Sequence, residues 1–360
     1  HEGVGTVESQ QMQAFEGNRG AEGAGQAGHH VAKARRIRDE TRNRRQDVGM
    51  ISLRHGCGPT SIIPRTMASS DAANALGPGL SWIDLRFQGR TRVIATALVI
   101  GSGGVALVDP GPTSCLETLE LGLQAHGIRW PDVRQILLTH VHLDHAGATG
   151  AIIRDHPHVR VLVHERGAKH LADPARLIDS ATRIYRDQMD RLWGEIAPVP
   201  AQNLVPLTGG ERVEAGGRHL EVAYTPGHAS HHVAFFDQSS GVAFVGDTAG
   251  VCIDEGYVLP PTPPPDIDVE AWSASVDRIL SWSPGTLLLT HFGPVGRVRP
   301  HMAALIENLE AAAAMVRALL NEPGTDEERG AAFAEQIPRR MRQTMTDEQI
   351  GTYQIGRAHV

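Results

Sequence analysis

The chain has 360 residues, 41% hydrophobic and 21% charged, with a formal net charge of −7; this is long enough for one large domain or two ordinary ones, and the balance is that of a soluble enzyme. It contains no run of about 18 apolar residues, which argues against a transmembrane helix and a membrane partner, and its start lacks the charged-then-apolar profile of a secretory signal. Cys57, Cys115 and Cys252 are odd in number and scattered, so a disulfide framework is not expected and a reducing, cytoplasmic setting is.

Residues 1–66 read unlike the rest. They are rich in Gly, Gln, Glu and Arg, lack hydrophobic periodicity and carry a mixed charge run over 31–45. Asp39 and Glu40 interrupt that run and no aromatic residue is interleaved, so a disordered, solvated tail is expected in preference to a nucleic-acid arm. The segment has ten Lys and Arg against seven Asp and Glu, a net +3, which leaves −10 on the remainder. An acidic body is a poor platform for phosphate backbones, and no nucleic-acid partner is expected. The chain begins with His1, whereas Met67 opens a plausible native start; residues 1–66 are therefore read as a non-native extension. Residues 355–360, IGRAHV, match the translation of a sequencing-library adapter and are read as an artefact.

The folded part is expected to begin at Arg92. RVIATALVIG and VALVDPG, joined around Gly101 and Gly104, read as a hairpin. Its GSGG lacks the Lys-Ser/Thr of a phosphate-binding loop and is taken as a turn. Asp109 ends the second strand, either to cap a helix over 114–127 or, the favoured reading, to support the next loop from behind.

That loop is ILLTHVHLDHAGATG, residues 136–150. An apolar run ends in Thr139 and then delivers His140, His142, Asp144 and His145 within six residues. In extended backbone His140 and His142 project to the same side and can grip one ion. A turn at Leu143 would swing Asp144 and His145 toward a second. Imidazole and carboxylate together suit zinc, iron or manganese better than calcium or magnesium. Gly147, Ala148 and Gly150 let the next helix start close by.

Further along, 146–156 reads as a helix, 159–164 as a strand and 165–196 as a helical insert. Tyr185, Met189, Leu192 and Trp193 recur there at steps of three and four, most simply as a packing face; the insert is also placed to roof a pocket. Three apolar strands then end in one candidate ligand each: residues 218–236 turn through Pro-Gly at His228, residues 241–250 end in Asp247, and residues 285–294 carry His291. Tyr257 opens a proline-rich loop that could border the pocket. Beyond Pro294, Met302, Leu305, Ile306, Leu309, Val316, Leu319 and Leu320 form one apolar stripe, read as packing on the body in preference to a dimer interface, although a homodimer stays open. A second helix is expected over 326–345. The domain layout is thus a body over 67–300 and helices over 301–354.

Asp109, the H-x-H-x-D-H run His140 to His145, then His228, Asp247 and His291, in that order, resemble the five motifs of the metallo-β-lactamase superfamily. The resemblance covers about 85–294. It implies an αββα sandwich, here with a C-terminal helical extension, and a binuclear site. In it His140, His142 and His228 would hold one metal, Asp144, His145 and His291 the other, and Asp247 would bridge them. Two divalent ions, zinc first with iron or manganese as alternatives, would share a water whose pKa falls toward about 7. The hydroxide would attack an ester, thioester, lactone or amide-type bond of a small molecule, with Asp144 carrying a proton to the leaving atom. The TPGH turn is most similar to the glyoxalase II and lactonase branches. Ala229 and His231 depart from the glyoxalase II pattern, where His232 keeps the second His as a structural residue, and Gly250 stands where the lactonases have a Tyr. Ser230 has no G-x-S-x-G elbow, so a serine nucleophile is not expected. The resemblance also admits a single-iron, persulfide-dioxygenase-like oxidoreductase.

Overall fold

A computed structural model describes residues 75–263 and 265–353. The readings for 1–66 and 355–360 fall outside the described residues. Among the described residues one sheet has seven strands in sequential order: β1 (Ala75–Gly77), β2 (Leu80–Asp84), β3 (Ala95–Gly101), β4 (Gly104–Val108), β5 (Val133–Leu137), β6 (Arg160–His164) and β7 (Leu204–Leu207). Strands β1 to β4 are antiparallel neighbours, and β4 to β7 are parallel. The second sheet contains β8 (Arg212–Ala215), β9 (Arg218–Tyr224), β10 (Val233–Asp237), β11 (Val242–Phe244), β12 (Thr286–Leu289) and β13 (Gly293–Val295), in the order β13-β12-β11-β10-β9-β8.

Parallel neighbours need crossovers, which are mostly helical here. Helix α1 (Leu116–Ala125) links β4 to β5. Helices α2 (Leu143–Ala146) and α3 (Thr149–Asp155) link β5 to β6. The insert α4 (Glu165–Ala172), α5 (Ala175–Tyr185) and α6 (Met189–Leu192) precedes β7, and α7 (Val269–Ser281) links β11 to β12. After β13 come α8 (Val298–Leu320), α9 (Asp326–Met341) and α10 (Asp347–Tyr353).

The layering follows from the two-residue period of the strands. Leu98, Val105, Leu107, Ile136, Val161 and Val163 face outward onto a cluster with Leu119, Ile152 and Trp193. Their neighbours Ala97, Val99, Ala106, Val108, Leu137 and Leu162 face inward and meet Val222, Phe235, Phe244 and Leu288 of the other sheet. The far side of that sheet sends Ala234, Phe236, Ala243 and Leu287 against Trp272, Ile279, Met302 and Leu305. Each central strand is therefore apolar on both faces, and the chain forms the expected four-layer αββα sandwich.

Several boundaries differ from the expectations. The sheet begins at β1 and β2, ahead of Arg92, and β2 pairs along its whole length with β3. The insert is not one helix: Pro174 has no N–H to give, Asp173 ahead of it is extended (φ −133°, ψ 95°), and the chain restarts as α5. Its packing face is as read, since Trp193 is buried against Phe87 and Tyr185 while Met189 and Leu192 lie on the same cluster. Tyr257 belongs to a separate cluster with Ile337, Met341, Ile350 and Tyr353, where the C-terminal helices cover its loop. The apolar stripe of α8 packs through Ala312, whereas Val316 and Leu320 are exposed. Among the described residues no helix is long and apolar enough to cross a membrane.

Candidate metal centre

All seven sequence-predicted ligands converge at one edge of the sandwich. Strand β5 stops at Leu137, but the chain stays extended past Leu138, whose N–H bonds to Leu162 O at 2.9 Å. Thr139, His140, Val141 and His142 follow, and the turn expected at Leu143 is the start of α2, which carries Asp144 and His145. Gly150 then permits close approach of the next segment, because a Cβ there would fall 1.9 Å from Ala197 O.

The ring nitrogens form two groups. His140 Nε2 and His228 Nε2 each lie 3.0 Å from His142 Nδ1. In the second group His291 Nε2 lies 3.1 Å from Asp144 Oδ2 and 3.2 Å from His145 Nε2. Asp247 stands between the groups with one oxygen toward each. Its Oδ2 is 3.3 Å from His228 Nε2 and 4.0 Å from His140 Nε2, and its Oδ1 is 3.3 Å from His145 Nε2 and 3.6 Å from His291 Nε2. Within each group, Asp247 counted with the second, the candidate ligand atoms all lie within 4.8 Å of one another.

Three of the five rings are aimed by the nitrogen that faces away from the site, which fixes their tautomer. His228 Nδ1 donates to Pro261 O at 2.9 Å and His291 Nδ1 to Val93 O at 2.7 Å. His145 Nδ1 donates to Asp109 Oδ2 at 2.8 Å. The inward nitrogens therefore present lone pairs. Asp109 supports the loop from behind, as read, and holds more than His145: Thr139 donates to it through N–H at 2.8 Å and Oγ1 at 2.7 Å, and Thr290 Oγ1 at 2.9 Å.

Sequence reasoning missed these threonines, although a signal was available. Leu-Leu-Thr-His occurs twice, at 137–140 and 288–291, and each copy sets a ligand beside a threonine that grips the same carboxylate. It also missed what holds Asp247. Strand β11 ends at Phe244, earlier than expected, and Asp247 lies in the following 3-10 turn, Gly246–Ala249. His232 Nε2 accepts from Asp247 N at 3.3 Å, Trp272 Nε1 donates to Thr248 O at 2.8 Å, and His301 Nε2 donates to Ala249 O at 2.8 Å. His232 is thus structural, as its position suggested. Gly246 has φ 46°, and a Cβ there would meet Thr139 Oγ1 at 2.5 Å and His232 Nε2 at 2.7 Å, so this turn requires glycine.

The electrostatics suit cations. Burial pushes His140, His142 and His228 below the ordinary imidazole range, which leaves them neutral, the form that ligates. Burial acts the same way on His145 and His291, but Asp247 and Asp144, with Asp109 added at His145, outweigh it and raise both. Asp109, Asp144 and Asp247 are all buried, and Asp247 Oδ1 has no hydrogen-bond partner. Buried carboxylates need compensating positive charge, and a nitrogen-and-carboxylate cradle with an orphaned oxygen fits divalent ions.

Residues 90–291 match the family model described as the metallo-beta-lactamase superfamily. The chain belongs to this superfamily. A metallo-beta-lactamase family protein from Thermus thermophilus superposes with a TM-score of 0.60 at 30% identity, covering 72% of this chain and 88% of that one. A metallo-beta-lactamase fold-containing protein of Sulfurisphaera tokodaii is 30% identical over 44% of this chain and 60% of its own length. A hydroxyacylglutathione hydrolase from a Synechococcus species is 32% identical over 41% of this chain and 45% of its own. The alignments thus span about half the length of these two curated relatives. The span that matches the superfamily contains all seven candidate ligands and Asp109.

Proposed function

We propose that the chain is a dinuclear metal-dependent hydrolase that cleaves an ester, thioester, lactone or amide-type bond of a small molecule. The observation that carries this reading is the division of the Asp247 carboxylate, Oδ2 toward one nitrogen group and Oδ1 toward the other. His140, His142 and His228 would hold one ion, Asp144, His145 and His291 the second, with Asp247 shared, and zinc suits the donor set best. Bound there, divalent ions supply Lewis acidity, bringing the pKa of a shared water down to about 7 and polarising the substrate carbonyl.

The protein's own part is positioning. Asp109, Pro261 O and Val93 O fix the rings of His145, His228 and His291, and the turn of Asp247 is pinned from three sides. Asp144, whose Oδ2 lies 3.1 Å from His291 Nε2 within the second group, would carry the proton from the attacking water to the leaving atom. The similarity to a hydroxyacylglutathione hydrolase supports including that compound among the first substrates. The test is a panel of chromogenic esters, thioesters, lactones and β-lactams, with a hydroxyacylglutathione added, on zinc-loaded protein. The expected result is turnover of at least one class that chelation abolishes and zinc restores. Fully loaded protein inert toward every class would contradict the proposal.

A further inference from the structure

Beside the centre lies a second cavity of about 330 Å³, with His142 and His231 on one wall and the first two insert helices on the other. That volume is at the small end of ligand sites, enough for one arm of a substrate. His142 is half-buried whereas the other six candidate ligands are buried, so the centre opens toward this cavity.

The helical wall is cationic. Arg166, Lys169 and His170 fall three and four residues apart on α4 and share a face, and Arg176 of α5 lines the same cavity. Arg166 is already engaged: its guanidinium donates to the Tyr224 hydroxyl at 3.0 Å and lies over that ring at 5.6 Å. Lys169 and Arg176 are exposed and form no salt bridge among the described residues. The lining carboxylate, Asp266, accepts from Ser230 Oγ at 2.6 Å and Ser230 N at 3.3 Å. The lining thus carries three permanent cations against one carboxylate. A merely solvated basic face would not converge on a concavity that adjoins the candidate metal ligands. His231 is only 8% exposed and closes the floor of the cavity, its ring 5.7 Å from that of His142.

We propose that this cavity binds an anionic arm of the substrate, a carboxylate or a phosphate, through Lys169, Arg176 and His231 while the scissile bond lies at the metal centre. The assignment rests on the hydrolase reading and narrows it: charged acyl compounds are selected over neutral ones of equal size. Charge-assisted hydrogen bonds give this selectivity, and salt weakens it because the two cations are exposed.

The test pairs two p-nitrophenyl esters of similar chain length on zinc-loaded protein, the neutral butyrate and the hemiester of glutaric acid. Wild type should favour the anionic ester, and in Lys169→Ala/Arg176→Ala the ratio of the two kcat/KM values should fall about tenfold. Lys169→Arg should retain most of the preference. Independently of turnover, glutarate and inorganic phosphate are titrated calorimetrically into wild type and the double variant. Tighter binding of glutarate to wild type assigns a carboxylate arm, and tighter binding of phosphate assigns a phosphate. An unchanged ester ratio together with equal affinities in both proteins overturns the proposal, since any bound anion then sits elsewhere. If neither ester is cleaved and yet anion affinity falls in the variant, the cavity stands, and the hydrolase reading is decided separately by the thioesters, lactones and β-lactams of the panel.

Discussion

Asp247→Ala is expected to lower turnover by about three orders of magnitude or more and to leave at most one ion per chain. The reason is geometric. The carboxylate spans both nitrogen groups, with Oδ1 and Oδ2 each 3.3 Å from a ring nitrogen of a different group. The substitution removes a buried carboxylate whose Oδ1 makes no hydrogen bond, and the turn around it keeps its backbone anchors to His232, Trp272 and His301. The metal-free variant should therefore stay folded, with a circular dichroism spectrum and melting midpoint close to those of metal-free wild type. A fully metallated, active Asp247→Ala protein would refute the shared-ligand role.

Asp109→Ala should show a different pattern, with loss of both stability and metal affinity. Asp109 is fully buried and accepts four hydrogen bonds, two from Thr139 and one each from Thr290 and His145. Truncation leaves those donors without an acceptor in a dry site, a cost of about 3–5 kcal/mol. It also frees the His145 ring to rotate or change tautomer, and loss of such a partner weakens metal binding by about 10–100-fold. Denaturant midpoints and chelator competition measure the two effects separately. A destabilised variant with undiminished affinity for both ions would mean that Asp109 only braces the strand ends.

The contrast between these residues shows what the sequence could and could not reveal. The ligands were legible because each follows a short apolar run, and a buried strand that stops at a His or Asp places that side chain where the sheet edge opens. Asp109 was legible as a support for the same reason. The bracing threonines escaped notice because Thr after an apolar run reads as an ordinary strand end; only the repeat of Leu-Leu-Thr-His distinguishes them. The 3-10 turn under Asp247 is built by His232, Trp272 and His301, three distant residues whose meeting no local pattern encodes.

Element signals failed for equally specific reasons. Strands β1 and β2 are three and five residues long and separated only by Pro78 and Gly79, so neither carries a long alternating signal. Strand β8 is an edge of only four residues, too short for its alternation of exposed Arg212 and Glu214 with Val213 and Ala215 to stand out. Helix α7 did offer a signal, since Asp268 caps it by accepting from Ala271 N while Trp272, Val276 and Ile279 repeat at helical steps; it lay behind the proline run. On α8 the apolar period continues past Ala312 to Val316 and Leu320, which the sandwich does not cover. Periodicity identifies a face of a helix and says nothing of how far its partner extends.

The most direct measurement is the metal content of the purified chain after reconstitution and removal of loosely held ions, by plasma mass spectrometry. Two divalent ions per chain are expected, zinc by preference, falling to at most one in the Asp247→Ala and His142→Ala double variant. A single iron per chain coupled to oxygen consumption, or two ions that persist in that variant, would contradict the dinuclear centre.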